Sequence, residues 1–154
     1  MMFSQTAEYA LRAMACLALY DSLVATSTLA EQTKVPVNYL AKVLQQLSSA
    51  GLVDGRRGVG GGYRLSRPAS EINLLDVINA VETLKRIETC PLGLKSHGSA
   101  LCPLHRRADK AIAAIIEIYQ GSTLADLVKE PGAKTPLCED QTVVGVSVGG
   151  KSVS

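Results

Sequence analysis

A mainly α fold with one small β-hairpin is predicted, and a long helix follows the hairpin. Three observations predict it. Apolar residues recur at helical spacing along most of the first 84 residues and again over 104–118. One segment, Asp54–Gly62, holds five glycines between two short apolar runs, as the loop of a hairpin does. Aromatics are scarce, with no Trp, one Phe and five Tyr, so the core must be Leu, Ile, Val, Ala and Met, which suits packed helices.

Ser4 is placed to cap a first helix that runs to about Tyr20, with Ala7, Leu11, Met14, Ala15 and Ala18 on its apolar face. Asp21 and Ser22 break it. Ser27 or Thr28 starts a short second helix, because Thr28 and Glu31 have the spacing of a capping box, and Leu29 and Ala30 point inward. Thr33-Lys34-Val35 is a tight turn. Pro36 fits the first turn of a third helix, which carries Val37, Leu40, Val43, Leu44 and Leu47 inward and stops at Gly51. Leu52-Val53 and Tyr63–Leu65 are the hairpin strands, joined by the Asp54–Gly62 loop. A fourth helix covers roughly Leu74–Leu84. Thr89–Leu101 has no periodicity. Cys102-Pro103 opens a long helix to about Tyr119, striped by Leu104, Ala108, Ala111, Ile112, Ile115 and Ile118, and Ser122–Val128 adds a short helical turn. The expected organisation is a first unit over 1–84, a cysteine-containing loop over 85–102, a dimerisation helix with its short successor over 103–130, and a flexible tail over 131–154.

The chain has 154 residues and a formal charge of +2, which neither demands nor excludes nucleic acid; what matters is where the basic residues lie. The apolar stretch Ala13–Tyr20 is too short for a membrane span and has Glu8 and Arg12 ahead of it rather than a basic leader. A soluble, cytoplasmic protein with no membrane association is expected. In that compartment the four cysteines, Cys16, Cys90, Cys102 and Cys138, are buried, redox-active or metal-binding sooner than a disulfide framework.

Two short helices, a tight turn and a Gly-Arg hairpin form the layout of a winged helix-turn-helix. Its third helix fits the major groove of duplex DNA. Asn38, Tyr39 and Lys42 lie opposite the inward residues of that helix; Asn pairs with adenine edges and Lys with guanine or phosphate. Thr28, near the start of the second helix, is placed for a phosphate. Arg56 and Arg57 at the hairpin tip suit a neighbouring minor groove, and Gly58 and Gly60 let the backbone approach closely. Against this, outward polar residues are usually only solvated, and a Gly-rich hairpin is often only a turn. It is their order and tight spacing that favour the joint reading.

These stretches also resemble a known family. Leu40-Ala-Lys-Val-Leu-Gln-Gln-Leu, Ala50-Gly-Leu-Val, Arg57-Gly-Val-Gly-Gly-Gly-Tyr-Arg-Leu-Ser-Arg-Pro and Glu71-Ile-Asn-Leu-Leu-Asp-Val-Ile-Asn-Ala-Val-Glu are similar to the Rrf2 regulators, as are Thr6-Ala-Glu-Tyr-Ala-Leu-Arg-Ala and Ser122-Thr-Leu-Ala-Asp-Leu-Val. The resemblance covers about Met2 to Val128. It implies a transcription regulator that binds an operator as a homodimer, with the long helix crossing its partner, the arginine at Arg57 entering the minor groove, and Asn38 and Lys42 facing bases.

The resemblance also implies a sensor. Iron–sulfur members hold a cluster on three cysteines before the long helix, plus one further ligand. Cys90 and Cys102 match the outer two; Ser96, followed by His97, stands at the middle position; His105 matches the further ligand of one branch, and Glu8 the first-helix position that the partner subunit supplies in another. The set is incomplete, yet the two thiolates plus His105, His97 or Glu8 could still hold a [2Fe–2S] cluster, since histidine replaces cysteine in some such clusters. Cys102 and His105 lie three apart at a helix start, hence on one face. Three readings stand: a mixed-ligand cluster, a thiol switch between Cys90 and Cys102 or with Cys138, and a loop whose cysteines merely pack. Cys16 is expected in the core, Glu8 and Arg12 as an exposed ion pair of little energetic weight, and Cys138 as free.

An enzyme is not expected. The histidines lack a catalytic partner pattern, and Gly58-Val-Gly-Gly-Gly-Tyr63 puts Tyr where a dinucleotide fingerprint needs glycine and leads into a strand. The rival from another class is a winged-helix protein-interaction module with a non-functional loop, which would lack salt-dependent DNA affinity.

Overall fold

A computed structural model of the chain describes residues 3–98 and 100–130. The expected tail 131–154, with Cys138, lies outside the described residues. The architecture is mainly helical with one two-stranded antiparallel hairpin, as the sequence predicts.

Helix α1 (Gln5–Leu17) is the centre of the core. Ser4 caps it, its hydroxyl accepting the Ala7 N–H at 3.2 Å. Ala7, Ala10, Leu11 and Ala13–Leu17 are all buried, so the helix is covered on most sides rather than along one stripe. It ends before Tyr20 because the Leu19 and Tyr20 N–H groups turn back to Cys16 and Leu17. Cys16 is buried as expected. Its Sγ donates to Oε1 of the buried Gln32 at 3.1 Å, and the Tyr20 hydroxyl donates to the same oxygen at 2.7 Å.

Helix α2 (Thr26–Thr33) starts earlier than its capping-box spacing predicts, and that box does not form. Ala25 takes the cap position without a side-chain bond. The cause is non-local: Val24 and Tyr63 exchange backbone hydrogen bonds of 2.8 and 2.9 Å, which holds the chain extended up to Ala25. Thr28 is therefore the third residue of the helix, exposed. Lys34, in the left-handed region at φ 56°, makes the turn.

Helix α3 (Val37–Ser49) buries Leu40, Val43, Leu44 and Leu47. Each contributes about 1.5–3 kcal/mol relative to exposure. Pro36 lies just outside the helix, as its cap. Val37, expected inward, is 48% exposed, because the first turn projects beyond the core. Gly51, at φ 75°, closes the far end: its N–H reaches the Ser48 carbonyl and the Leu52 N–H reaches Leu47, both at 3.0 Å.

Strands β1 (Val53–Arg56) and β2 (Gly62–Leu65) pair from Val53↔Leu65 to Arg56↔Gly62. The ladder is longer than expected. Arg56 belongs to a strand, and the tip is residues 57–61. Helix α4 (Leu74–Val81) opens with a reciprocal capping box between Asn73 and Asp76 and stops short of Leu84, where Glu82 turns extended. In the following loop, residues 95–97 form one 3-10 turn.

Helix α5 (Pro103–Gln120) has Cys102 as its cap and buries no residue fully; Leu104 is 70% and Ile118 64% exposed. Helix α6 (Leu124–Lys129), capped by Thr123 and Asp126, returns the chain to the core. Leu74 N–H bonds Ser122 and Leu124 N–H bonds Ile72, both at 2.9 Å, so the starts of α4 and α6 are stitched together and Leu124 is fully buried.

Candidate nucleic-acid interface

The outer side of α3 follows from its inner one. With Leu40, Val43, Leu44 and Leu47 facing the core, Asn38, Tyr39 and Lys42 are exposed at the opposite side of the first turns. Tyr39 is 59% exposed and leans on Tyr9, ring centroids 6.4 Å apart in an edge arrangement. Tyr9 in turn lies under the Arg12 guanidinium, 5.6 Å from its centroid, and Arg12 also bonds Glu8 and the Thr33 carbonyl. The Glu8–Arg12 pair is thus half-buried rather than exposed, and it steadies the approach to α3.

The hairpin is docked against α2 by close backbone contact. A Cβ on Gly62 would lie 2.2 Å from the Val24 carbonyl oxygen, and one on Gly55 would meet the Tyr63 ring at 2.8 Å. Only residues without side chains permit the Val24–Tyr63 pairing and the seat of Tyr63 over the strand. At the tip, Gly58 and Gly60 take φ 94° and 73°, and the Gly61 N–H closes the turn on the Gly58 carbonyl at 3.0 Å. Val59 is fully exposed between them.

Between α3 and the hairpin runs an open, mainly polar cleft of about 720 Å³, lined by Thr26, Gln45, Ser48, Arg56, Arg57 and Tyr63 among others. Of the residues predicted from sequence, Arg56, Arg57 and Gly58 line it. Asn38, Tyr39 and Lys42 continue the same exposed helix side toward its N-terminus, while Thr28 and Gly60 do not line the cleft. Thr26, Gln45 and Ser48 were missed. The signal for Gln45 was present: it stands seven residues after Asn38 and three after Lys42, hence on their side of the helix. Thr26 depended on the displaced start of α2.

The cysteine loop forms two separate thiol–imidazole neighbourhoods. Cys90 is half-buried; the Leu94 amide foremost, with the Leu92 amide and His97, holds its thiol below the ordinary range against the opposing effect of burial. Nδ1 of His97 is buried with no hydrogen-bond partner among the described residues. Cys102 Sγ and His105 Nδ1 are 3.4 Å apart at the start of α5. Ser96 is exposed in the 3-10 turn, and Glu8 is engaged on α1 by Arg12.

Among the described residues, no three of His, Cys, Asp and Glu converge in a way that would hold a metal ion. Within one chain the described residues thus bring together Cys102 with His105 and Cys90 with the neighbourhood of His97, but not Cys90, Cys102, His105 and Glu8 as one set. No described helix is long and apolar enough to cross a membrane.

Comparison with known proteins agrees with this architecture. The model of the Rrf2 family, described as iron-dependent transcriptional regulators, matches residues 3–130. A protein of Aquifex aeolicus named as an HTH-type transcriptional regulator is 33% identical over 132 residues, 83% of this chain and 92% of its own. The solved structure of T. potens IscR superposes with a TM-score of 0.66 at 28% identity, covering 84% of this chain and 87% of that one. CymR, the global cysteine regulator of B. subtilis, shares the fold with a TM-score of 0.67 at 24% identity, over 82% of this chain and 95% of its own. These relatives are regulators rather than enzymes. The chain belongs to the Rrf2 family of transcriptional regulators.

Proposed function

We propose that this protein is a cytoplasmic, sequence-specific regulator that binds an operator in duplex DNA as a homodimer. The observation that carries the reading is the flanking of the exposed α3 side, Asn38 to Gln45, by the arginines of the hairpin across one open cleft. A helix of that width enters a major groove about 12 Å wide, and a basic ribbon beside it reaches the adjacent minor groove. Asn38 reads base edges and Lys42 pairs with guanine or phosphate; Arg56 and Arg57 reach the minor groove; Thr28 meets a phosphate, and Gly58 and Gly60 admit close approach. The exposed apolar stripe of α5 supports a dimer, since Leu104 and Ile118 otherwise face water. Selection of bound duplexes from a random pool tests this. A recovered, partly palindromic motif supports it, and a pool without enrichment overturns it.

The loop over 85–102 is where a signal would enter, between α4 of the DNA-binding part and the start of α5. Two chemistries fit it: a thiol switch at Cys90, whose thiolate the Leu94 and Leu92 amides stabilise, and a [2Fe–2S] cluster on Cys90, Cys102 and His105 with Glu8 of the partner subunit. Iron and acid-labile sulfide assays on anaerobically purified protein decide: an absence of both agrees with the thiol reading, and stoichiometric amounts contradict it.

A further inference from the structure

Helix α3 is flanked by a second groove, on the side away from the hairpin. It measures about 700 Å³ and is lined by Lys42, Gln45, Gln46, Ser49 and, from α4, Asn79 and Ala80. Gln45 and Ser49 line both grooves. The exposed side of α3 is therefore a ridge with a trough on each flank. A ridge lodged in a major groove has one phosphate backbone running along each side. The trough by the hairpin offers Arg56 and Arg57 to one strand. The other trough faces the second strand.

Its chemistry suits a phosphate. Lys42 supplies a cation. Asn79 is exposed, and its Oδ1 accepts the Leu84 N–H at 3.1 Å. That bond turns the acceptor end of the carboxamide toward the loop and leaves both Nδ2 protons for an outside acceptor. Beyond Asn79 the groove continues past Arg67 and Asp76. Asp76 is already engaged, accepting from the Asn73 N–H at 3.3 Å and lying 3.9 Å from Arg67. We infer that Lys42 and Asn79 clamp a backbone phosphate of the strand opposite the one held by the hairpin, so that α4 takes part in DNA binding. This rests on the DNA-binding reading above.

The test is Asn79→Asp. The aspartate keeps an acceptor for the Leu84 N–H, so the local fold is retained, but it points a carboxylate where a phosphate would lie. The full-length chain is titrated onto a fluorescently labelled mixed-sequence duplex of about three helical turns at several salt concentrations. Arg57→Ala serves as comparator, and circular dichroism checks folding. The expected result is an affinity loss of at least about fivefold for Asn79→Asp, similar on unrelated duplexes. Lys42→Ala is expected to lower the salt slope by about one. If Arg57→Ala weakens binding while Asn79→Asp does not, the clamp is overturned and the DNA-binding reading stands. A loss confined to one sequence also overturns it, since a phosphate contact carries no sequence information. A folded wild type without affinity for any duplex overturns both.

Discussion

Asp109 on α5 holds Arg86 by a bidentate pair, its two carboxylate oxygens taking the Arg86 Nε at 2.7 Å and Nη2 at 2.6 Å, while the Ile87 N–H adds a third bond of 2.9 Å. One carboxylate thus anchors the segment leaving α4 to the helix that follows the cysteine loop. The two ends of the loop are joined by this contact.

The anchor has a pH signature. Arg86 foremost, then the Ile87 N–H, holds the Asp109 carboxyl at about 2. A folded value below the unfolded one means that the stabilisation is complete above the ordinary carboxylate range and is lost as pH falls through about 2. Thermal unfolding of Asp109→Asn should therefore lie below the wild type at neutral pH, with the difference shrinking between about pH 4 and pH 2. A constant difference across that window would show that the ion pair is not the cause.

Gly62 is the position where a single methyl group should undo the wing. Its Cβ would collide with the Val24 carbonyl, so Gly62→Ala must push β2 away from the start of α2. A loss of about 1–3 kcal/mol in denaturant unfolding is expected, with DNA affinity falling further than stability alone explains. Gly58→Ala meets no atom within 4 Å and costs only the strain of its φ of 94°, so it should be milder. The reverse order would contradict the docking described here.

Gln32 ties α2 to α1 through one oxygen that serves both Cys16 and Tyr20. Gln32→Leu removes that acceptor inside the core and should cost about 1–3 kcal/mol. Chemical denaturation of the variant measures it, and an unchanged midpoint would mean the network is energetically idle.

The thiols should differ in reactivity. Cys90 is half-buried with its thiolate favoured, whereas Cys16 is fully buried. Mass spectrometry after brief alkylation of the native protein should find Cys90 modified and Cys16 only after unfolding. Early modification of Cys16 would contradict its place in the core.

Much of this arrangement was legible in the chain. Ser4, Gly51 and the Leu40–Leu47 spacing announce helix ends and an inward face because they act over one turn. What was not legible depends on distant partners. The start of α2 is set by Tyr63, far along the chain, so the local Thr28–Glu31 signal lost to a backbone pairing. Val37 keeps the helical phase of an inward residue, but the first turn of α3 outruns the core that would cover it. Arg56 moved from tip to strand because ladder length depends on both strands. The cysteine positions were readable, and their failure to converge in one chain was not, since spacing fixes proximity only within a helix, as for Cys102 and His105.

The central claim is that α3 and the hairpin arginines together grip duplex DNA. It is tested most directly by the salt dependence of the full chain's affinity for its selected duplex, wild type against Arg57→Ala. Affinity should fall steeply and log-linearly with salt, and the variant should bind more weakly with a slope shallower by about one. Identical affinity and slope for the two proteins, or no binding at low salt, would contradict it.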